Sequence, residues 1–230
     1  MTTDRRLARC AGVLYLVTHV TSIGAVVLYG GASFTPGAQL PGRCAMVTGA
    51  LLEVILALSV LGTGVLLYPL LRSRSSAVAA SYAALRTLEA SVILAGVVMV
   101  LPVVARPGSS GGGGLSAQVD SGLLLMHDWA FLVGPGLVAP VHTVVLALML
   151  RRYRLVPAFI PWLGMVGGPI IAVMNLLVMY GVAQVQPLLT LPIWAWEVSL
   201  AIHLIARGLP AQAGGTGRAA APLESTAGVR

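Results

Sequence analysis

Residues 77–104 read AVAASYAALRTLEASVILAGVVMVLPVV, and this stretch decides the fold. At about 1.5 Å per residue it is long enough to cross a hydrocarbon core roughly 30 Å thick as a helix. Hydrocarbon offers no partner for backbone N–H and C=O groups, so such a run closes its hydrogen bonds internally and cannot stand as a lone strand. Its only charged residues, Arg86 and Glu89, stand three positions apart and so share one helix face.

Five further apolar runs lie on either side, at 11–29, 45–70, 121–150, 157–180 and 190–206. The expected fold is therefore all-α: a polytopic membrane bundle of six transmembrane helices over residues 1–209. Residues 210–230, rich in Gly, Ala and Pro, are expected to form a disordered cytoplasmic tail. The runs at 77–104 and 121–150 exceed the spanning minimum and should tilt, kink or project from the bilayer. Pro135 and Pro140 mark the kink positions in the fourth run. Four glycines at 111–114 read as a flexible connector.

Composition agrees. Of 230 residues 57% are hydrophobic and 9% charged, against roughly 25% charged in soluble domains. Too few charges remain to cover a water-exposed surface. This excludes an ordinary soluble globule, a disordered chain and a nucleic-acid-binding domain, so no nucleic-acid partner is expected. The net charge of +7 comes from 14 basic residues, all of them arginine. Arg86 lies inside a span, Arg43 and Arg106 fall on one side, and the rest fall on the other. This bias places both termini in the cytoplasm, in a multi-pass protein of a cytoplasmic membrane. Arg5, Arg6 and Arg9 before the first run resemble a signal sequence, but that run exceeds the usual apolar segment of about 7–15 residues. It is read as a retained first helix. Cys10 and Cys44 start helices on opposite sides, so no disulfide is expected between them.

Ionisable groups inside spans are the informative residues, because one at mid-bilayer costs on the order of 2.5–3.5 kcal/mol. Four carboxylates qualify: Glu53, Glu89, Asp128 and Glu197. Counted from the ends of their runs, all four fall in one layer slightly toward the outer leaflet. Arg86 pairs with Glu89, and Tyr82 lies one turn from Arg86 on the same face. His127 adjoins Asp128, and His142 is expected on roughly the same face as Asp128. His19 sits at mid-depth one turn from Tyr15, while His203 lies close to the cytoplasmic end of the last helix. For the histidines a hydrogen-bonded structural role is expected. Neither HExxH nor paired ExxH spacing appears, so no metal site and no cofactor is assigned.

Trp129, Trp162, Trp194 and Trp196 lie near helix ends and read as interfacial anchors. Trp194 also shares a face with Glu197, giving an aromatic wall beside an acid. Gly164, Gly167, Gly168 and Pro169 permit close helix packing or a local break. Asn175 is placed to hydrogen-bond across the bundle.

With these residues in place, the chain resembles the bacterial membrane family known as domain of unknown function 4386. The resemblance rests on RCAGVLY at 9–15, YAALRTLE at 82–89, HD at 127–128, LVP at 155–157, LGMVGG at 163–168, Glu197, and RGL at 207–209. It covers the chain from about Arg9 to Leu209. What it implies is a compact multi-helix membrane protein with no established reaction, in which Arg86/Glu89, His127-Asp128 and Glu197 belong to the family pattern. The glycine-rich loop and the long tail depart from that pattern, so no role attaches to either.

Three functions fit. The first is a membrane protein whose buried polar cluster (Glu53, Arg86, Glu89, Asp128, Glu197) stabilises the bundle or binds a lipid-like ligand. Tyr82, His127 and Trp194 line that candidate site, and membrane lipid is the expected partner. The second is an intramembrane enzyme acting on an isoprenoid or lipid by carboxylic-acid protonation, with Glu197 or Asp128 as the acid. The third is a small-solute or proton-coupled transporter, although the two halves show no clear repeat. Oligomeric state is left open.

Overall fold

The computed structural model describes residues 3–31, 34, 39–105 and 115–210. The connector glycines, Arg106 and the tail from residue 211 lie outside the described residues. Seven α-helices follow in order: α1 (Thr3–Leu28), α2 (Arg43–Arg72), α3 (Ser76–Ala105), α4 (Leu115–Val133), α5 (Ala139–Arg152), α6 (Phe159–Met179) and α7 (Leu191–Ala206). No strand occurs among the described residues. A π-helical turn, Gly134–Val138, joins α4 to α5 within one long span, and a 3₁₀ turn, Pro187–Thr190, leads into α7. Six spans are thus long and apolar enough to cross a membrane.

The spans close into a ring. α1 packs on α2 and α7, α2 on α3, α3 on α4 and α5, α5 on α6, and α6 on α7. The outward faces carry exposed Val20, Leu58, Val98, Leu148 and Val173. Apolar surface spread around a whole bundle would be unstable in water and is what acyl chains solvate. Helices α2 and α3 have 30 residues each, about 45 Å at helical rise, so both outrun the hydrocarbon core and must tilt or project.

Local chemistry sets the helix ends. Ser75 Oγ accepts the Val78 amide at 3.4 Å and caps the start of α3. α1 and α6 finish on glycines with positive φ, Gly30 (79°) and Gly181 (69°). There the next amides turn back to the last helical carbonyls: Gly31 to Val26 at 3.0 Å and Val182 to Leu177 at 2.9 Å. Only glycine takes this left-handed turn without strain.

The two prolines of the fourth span, expected to kink it, fall at the π turn, Pro135 inside it and Pro140 just beyond. Pro140 has no N–H to give the Gly136 carbonyl, and Asn175 of α6 supplies the missing donor through Nδ2 at 3.0 Å. Asn175 thus bonds across the bundle as its position suggested. It reaches the carbonyl because a Cβ at Gly136 would lie 3.1 Å from Asn175 Cγ.

The tryptophans divide. Trp129, Trp162 and Trp194 are exposed, as anchors should be. Trp196 does not behave as an anchor: it is 1% exposed, among the most deeply buried large side chains in the protein. Its indole lies flat against Gly164 of α6, where a Cβ would come within 2.8–3.0 Å of the ring. Glycine at 164 makes the slot, and the burial of a large aromatic surface in it fixes α7 on α6.

Candidate functional site

The four intramembrane carboxylates do not share one layer. They divide between two buried networks and a third, partly exposed pair.

The central network is built on α3. Arg86, 2% exposed, sends Nη1 to Glu89 Oε2 at 3.0 Å and Nε to Thr63 Oγ1 of α2 at 2.8 Å. The close approach of α2 and α3 permits this, since a Cβ on Gly64 would stand 3.0 Å from Arg86 Cβ. His142 of α5 reaches the same Glu89 oxygen through Nε2 at 2.8 Å. A carboxylate only accepts, so His142 Nε2 carries the hydrogen in this contact. Above the guanidinium lies the Tyr15 ring of α1, with its centroid 5.3 Å away. Tyr15 and Tyr82 join hydroxyls at 2.5 Å, and the Tyr82 ring meets His142 edge-on. Four helices are thereby tied to one buried charge pair. Arg86 Nη2 and Thr143 Oγ1 are buried here with no protein partner among the described residues.

The outer network lies toward the opposite ends of α1 and α2. Glu53 of α2 accepts Tyr29 Oη at 3.0 Å and His127 Nε2 at 3.0 and 3.1 Å. The other imidazole nitrogen, Nδ1, faces Asp128 Oδ1 at 3.3 Å, and Asp128 Oδ2 accepts the Phe34 amide at 2.8 Å. With an acceptor at each ring nitrogen, the doubly protonated imidazolium satisfies both contacts. Two carboxylates against one imidazolium leave the network with an excess negative charge. Tyr29, Phe34 and Phe131 ring the imidazole at centroid distances of 4.8–5.5 Å. Gly49 admits the Tyr29 ring, which a Cβ there would strike. The Asp128 side chain is 16% exposed while that of Glu53 is 3% exposed, so the network has one buried end and one accessible end.

Glu53 and Thr63 belong to different networks and stand ten residues apart on α2, roughly 15 Å along the axis. The expectation of a single layer fails because it measures Glu53 from one end of its span and Glu89 from the other across a core of about 30 Å, whereas α2 and α3 have 30 residues each, about 45 Å. His142 also departs from the expected face. Fourteen residues would bring it near the Asp128 side in a regular helix, but the intervening π turn rotates α5 relative to α4, and His142 points to Glu89.

Glu197 makes no hydrogen bond to either network, although its charge lies within electrostatic reach of Tyr15, Tyr82, Arg86 and His142 in the central one. Its Oε2 lies 3.4 Å from His19 Nε2, while His19 Nδ1 meets the Tyr15 carbonyl at 2.8 Å. Trp194 stands edge-on to His19 at 6.4 Å, so the wall it forms borders the histidine. This pair is partly exposed on the α1–α7 face. Tyr29 and Thr63 were not singled out from sequence, although GTG at 62–64 and the glycine at 49 marked the close approaches that bring them in.

A family model described as Domain of unknown function (DUF4386) matches residues 10–208. The chain belongs to this family. The matched stretch holds every residue of both networks, so in this DUF4386 protein the polar interior is part of the family domain and the tail is not. No curated protein and no solved structure matches the chain. Among the described residues, no group of three or more His, Cys, Asp or Glu side chains is arranged to hold a metal ion.

Proposed function

We propose that this DUF4386 protein is a membrane-embedded binding protein in which the two networks do different work. The central one locks the bundle; the outer one receives the polar head of a lipid-like ligand. The observation that carries this reading is the contrast between them. Arg86 and Glu89 are balanced in charge and enclosed by Thr63, Tyr82 and His142. The outer network has two acids to one imidazole and an accessible carboxylate at Asp128. Excess acceptors suit a ligand head that donates, an amine or a hydroxyl group. The orientation follows the arginines, with both termini on the cytoplasmic side of a bacterial membrane.

The experiment is mass spectrometry of lipid co-purified with the full chain in mild detergent. The wild type and E197Q should retain the same amine- or hydroxyl-headed species, and D128N should lose it. Retention by D128N, or no selectivity over bulk lipid, contradicts the reading.

The enzymatic reading draws less support from this geometry. Asp128 already accepts a backbone amide and faces an imidazole, and Glu197 faces His19. Both are held as acceptors, whereas protonation of an alkene needs an acid that keeps its hydrogen. A proton-coupled carrier has one specific observation in its favour: three of the four histidines, His19, His127 and His142, touch a carboxylate inside the spans, the parts of which proton relays are built. Proton flux into proteoliposomes that disappears in E89Q would favour that carrier, and flux equal to empty liposomes would remove it.

A further inference from the structure

The arginine-rich end of the bundle carries a cavity of about 430 Å³ between the turn after α5 and the end of α7. Arg154, His203 and Arg207 line it beside apolar Leu155, Pro157 and Leu209. One wall is fixed from outside α7: Arg5, Arg9 and Arg74 reach the carbonyls of Ala206, Ile205 and Pro210 at 3.5, 3.1 and 3.2 Å.

Arg154 occupies the position after α5 that glycine takes after α1 and α6. Its φ is 50°, and the Leu155 amide turns back to the Leu150 carbonyl at 3.0 Å, the pattern seen at Gly30 and Gly181. Among the described residues it is the one non-glycine with positive φ. A side chain is strained in this conformation and glycine is not. A guanidinium therefore stands at the cavity where the backbone would favour its absence. Strain of this kind is kept where the side chain has a task.

The charge at this end is unbalanced. Among the described residues the one carboxylate near these arginines is Asp4, exposed in the first turn of α1. Glu197 lies ten residues back from Arg207, about 15 Å along α7. We propose that the cavity binds the phosphate of an anionic lipid headgroup. Arg154 and Arg207 donate N–H groups to the phosphate oxygens and His203 supplies a further donor. Leu155 and Leu209 provide apolar contact for the carbons below. Guanidinium is suited to phosphate by its planar set of donors, and basic pockets at helix ends are where such headgroups settle. This site is independent of the outer network: it lies at the other end of the bundle and offers donors to an anion, whereas the outer network offers acceptors.

The test is native mass spectrometry of the full chain in detergent, titrated separately with phosphatidylglycerol and phosphatidylcholine. The wild type should prefer phosphatidylglycerol by roughly thirtyfold, as two arginine contacts imply. R154G/R207Q should abolish the preference, whereas R151Q/R152Q, which removes equal charge outside the cavity, should keep it. R154G relaxes the backbone, so a melting temperature at or above wild type shows that the fold survives. Inorganic phosphate that displaces phosphatidylglycerol, and stabilises wild type but not R154G, supports the phosphate site and assigns it to free phosphate. Equal binding of the two lipids, a preference that survives R154G/R207Q, or one lost equally in R151Q/R152Q overturns the proposal.

Discussion

His142 Nε2 lies 2.8 Å from Glu89 Oε2, the same oxygen that receives Arg86 Nη1 at 3.0 Å. One acceptor on α3 thus draws a donor from its own helix and another from α5, and all three side chains are buried. Removing one member leaves the others charged or unpaired, and removing a balanced pair does not.

R86M should destabilise the protein by about 3–5 kcal/mol, because Glu89 is left as an unpaired buried charge. R86M/E89Q should recover a substantial part of that loss. Unfolding in detergent micelles, followed by circular dichroism, measures both. Equal loss in the single and double variants would show that Arg86 acts through packing alone.

Two threonines separate a bonded hydroxyl from an orphan. Thr63 Oγ1 accepts Arg86 Nε and donates to the Val60 carbonyl at 2.7 Å, whereas Thr143 Oγ1 is buried without a protein partner among the described residues. T63V should cost about 1–3 kcal/mol, the penalty for stranding a buried donor. T143V should be neutral or stabilising, since it removes an unsatisfied group. The ordering of the two melting temperatures is the readout.

At Gly164 the expectation is steric. G164A should destabilise by about 1–3 kcal/mol through overpacking against the Trp196 ring. W196L in the G164A background should cost less than W196L alone. Additive effects would mean that the two residues do not meet.

Asn175 supplies a donor that Pro140 cannot. N175L should cost about 1–3 kcal/mol by leaving the Gly136 carbonyl unpaired, and P140A should reduce that cost by restoring an N–H nearby. Hydrogen exchange of the 134–141 amides, faster in N175L than in wild type, would locate the effect.

Much of this architecture was legible in the sequence because the bilayer imposes it. Six spans follow from run length, and Arg86–Glu89 follows from a three-residue spacing that any helix converts into a contact. The expense of burying ionisable groups picked out Glu53, Glu89 and Asp128, all of which are engaged in the interior. Their partners were not legible. The Glu53–His127 contact joins α2 to α4 across 74 positions, and no local rule sets that register. The single carboxylate layer failed because depths taken from opposite helix ends agree only if the span matches the core, and α2 and α3 at 30 residues each outrun it. Trp196 was misread because sequence position gives its depth, near a helix end, but not its direction. That direction is set by Gly164 on another helix.

The central claim is that the carboxylates serve two separate networks, and a pair of double-mutant cycles tests it most directly. E53Q with H127F should show a coupling energy of about 0.5–3 kcal/mol in unfolding, as residues in contact do. E53Q with E89Q should be additive to within roughly 0.5 kcal/mol, as residues with no shared partner are. Strong coupling between Glu53 and Glu89, with none between Glu53 and His127, would contradict the division into a central lock and an outer site.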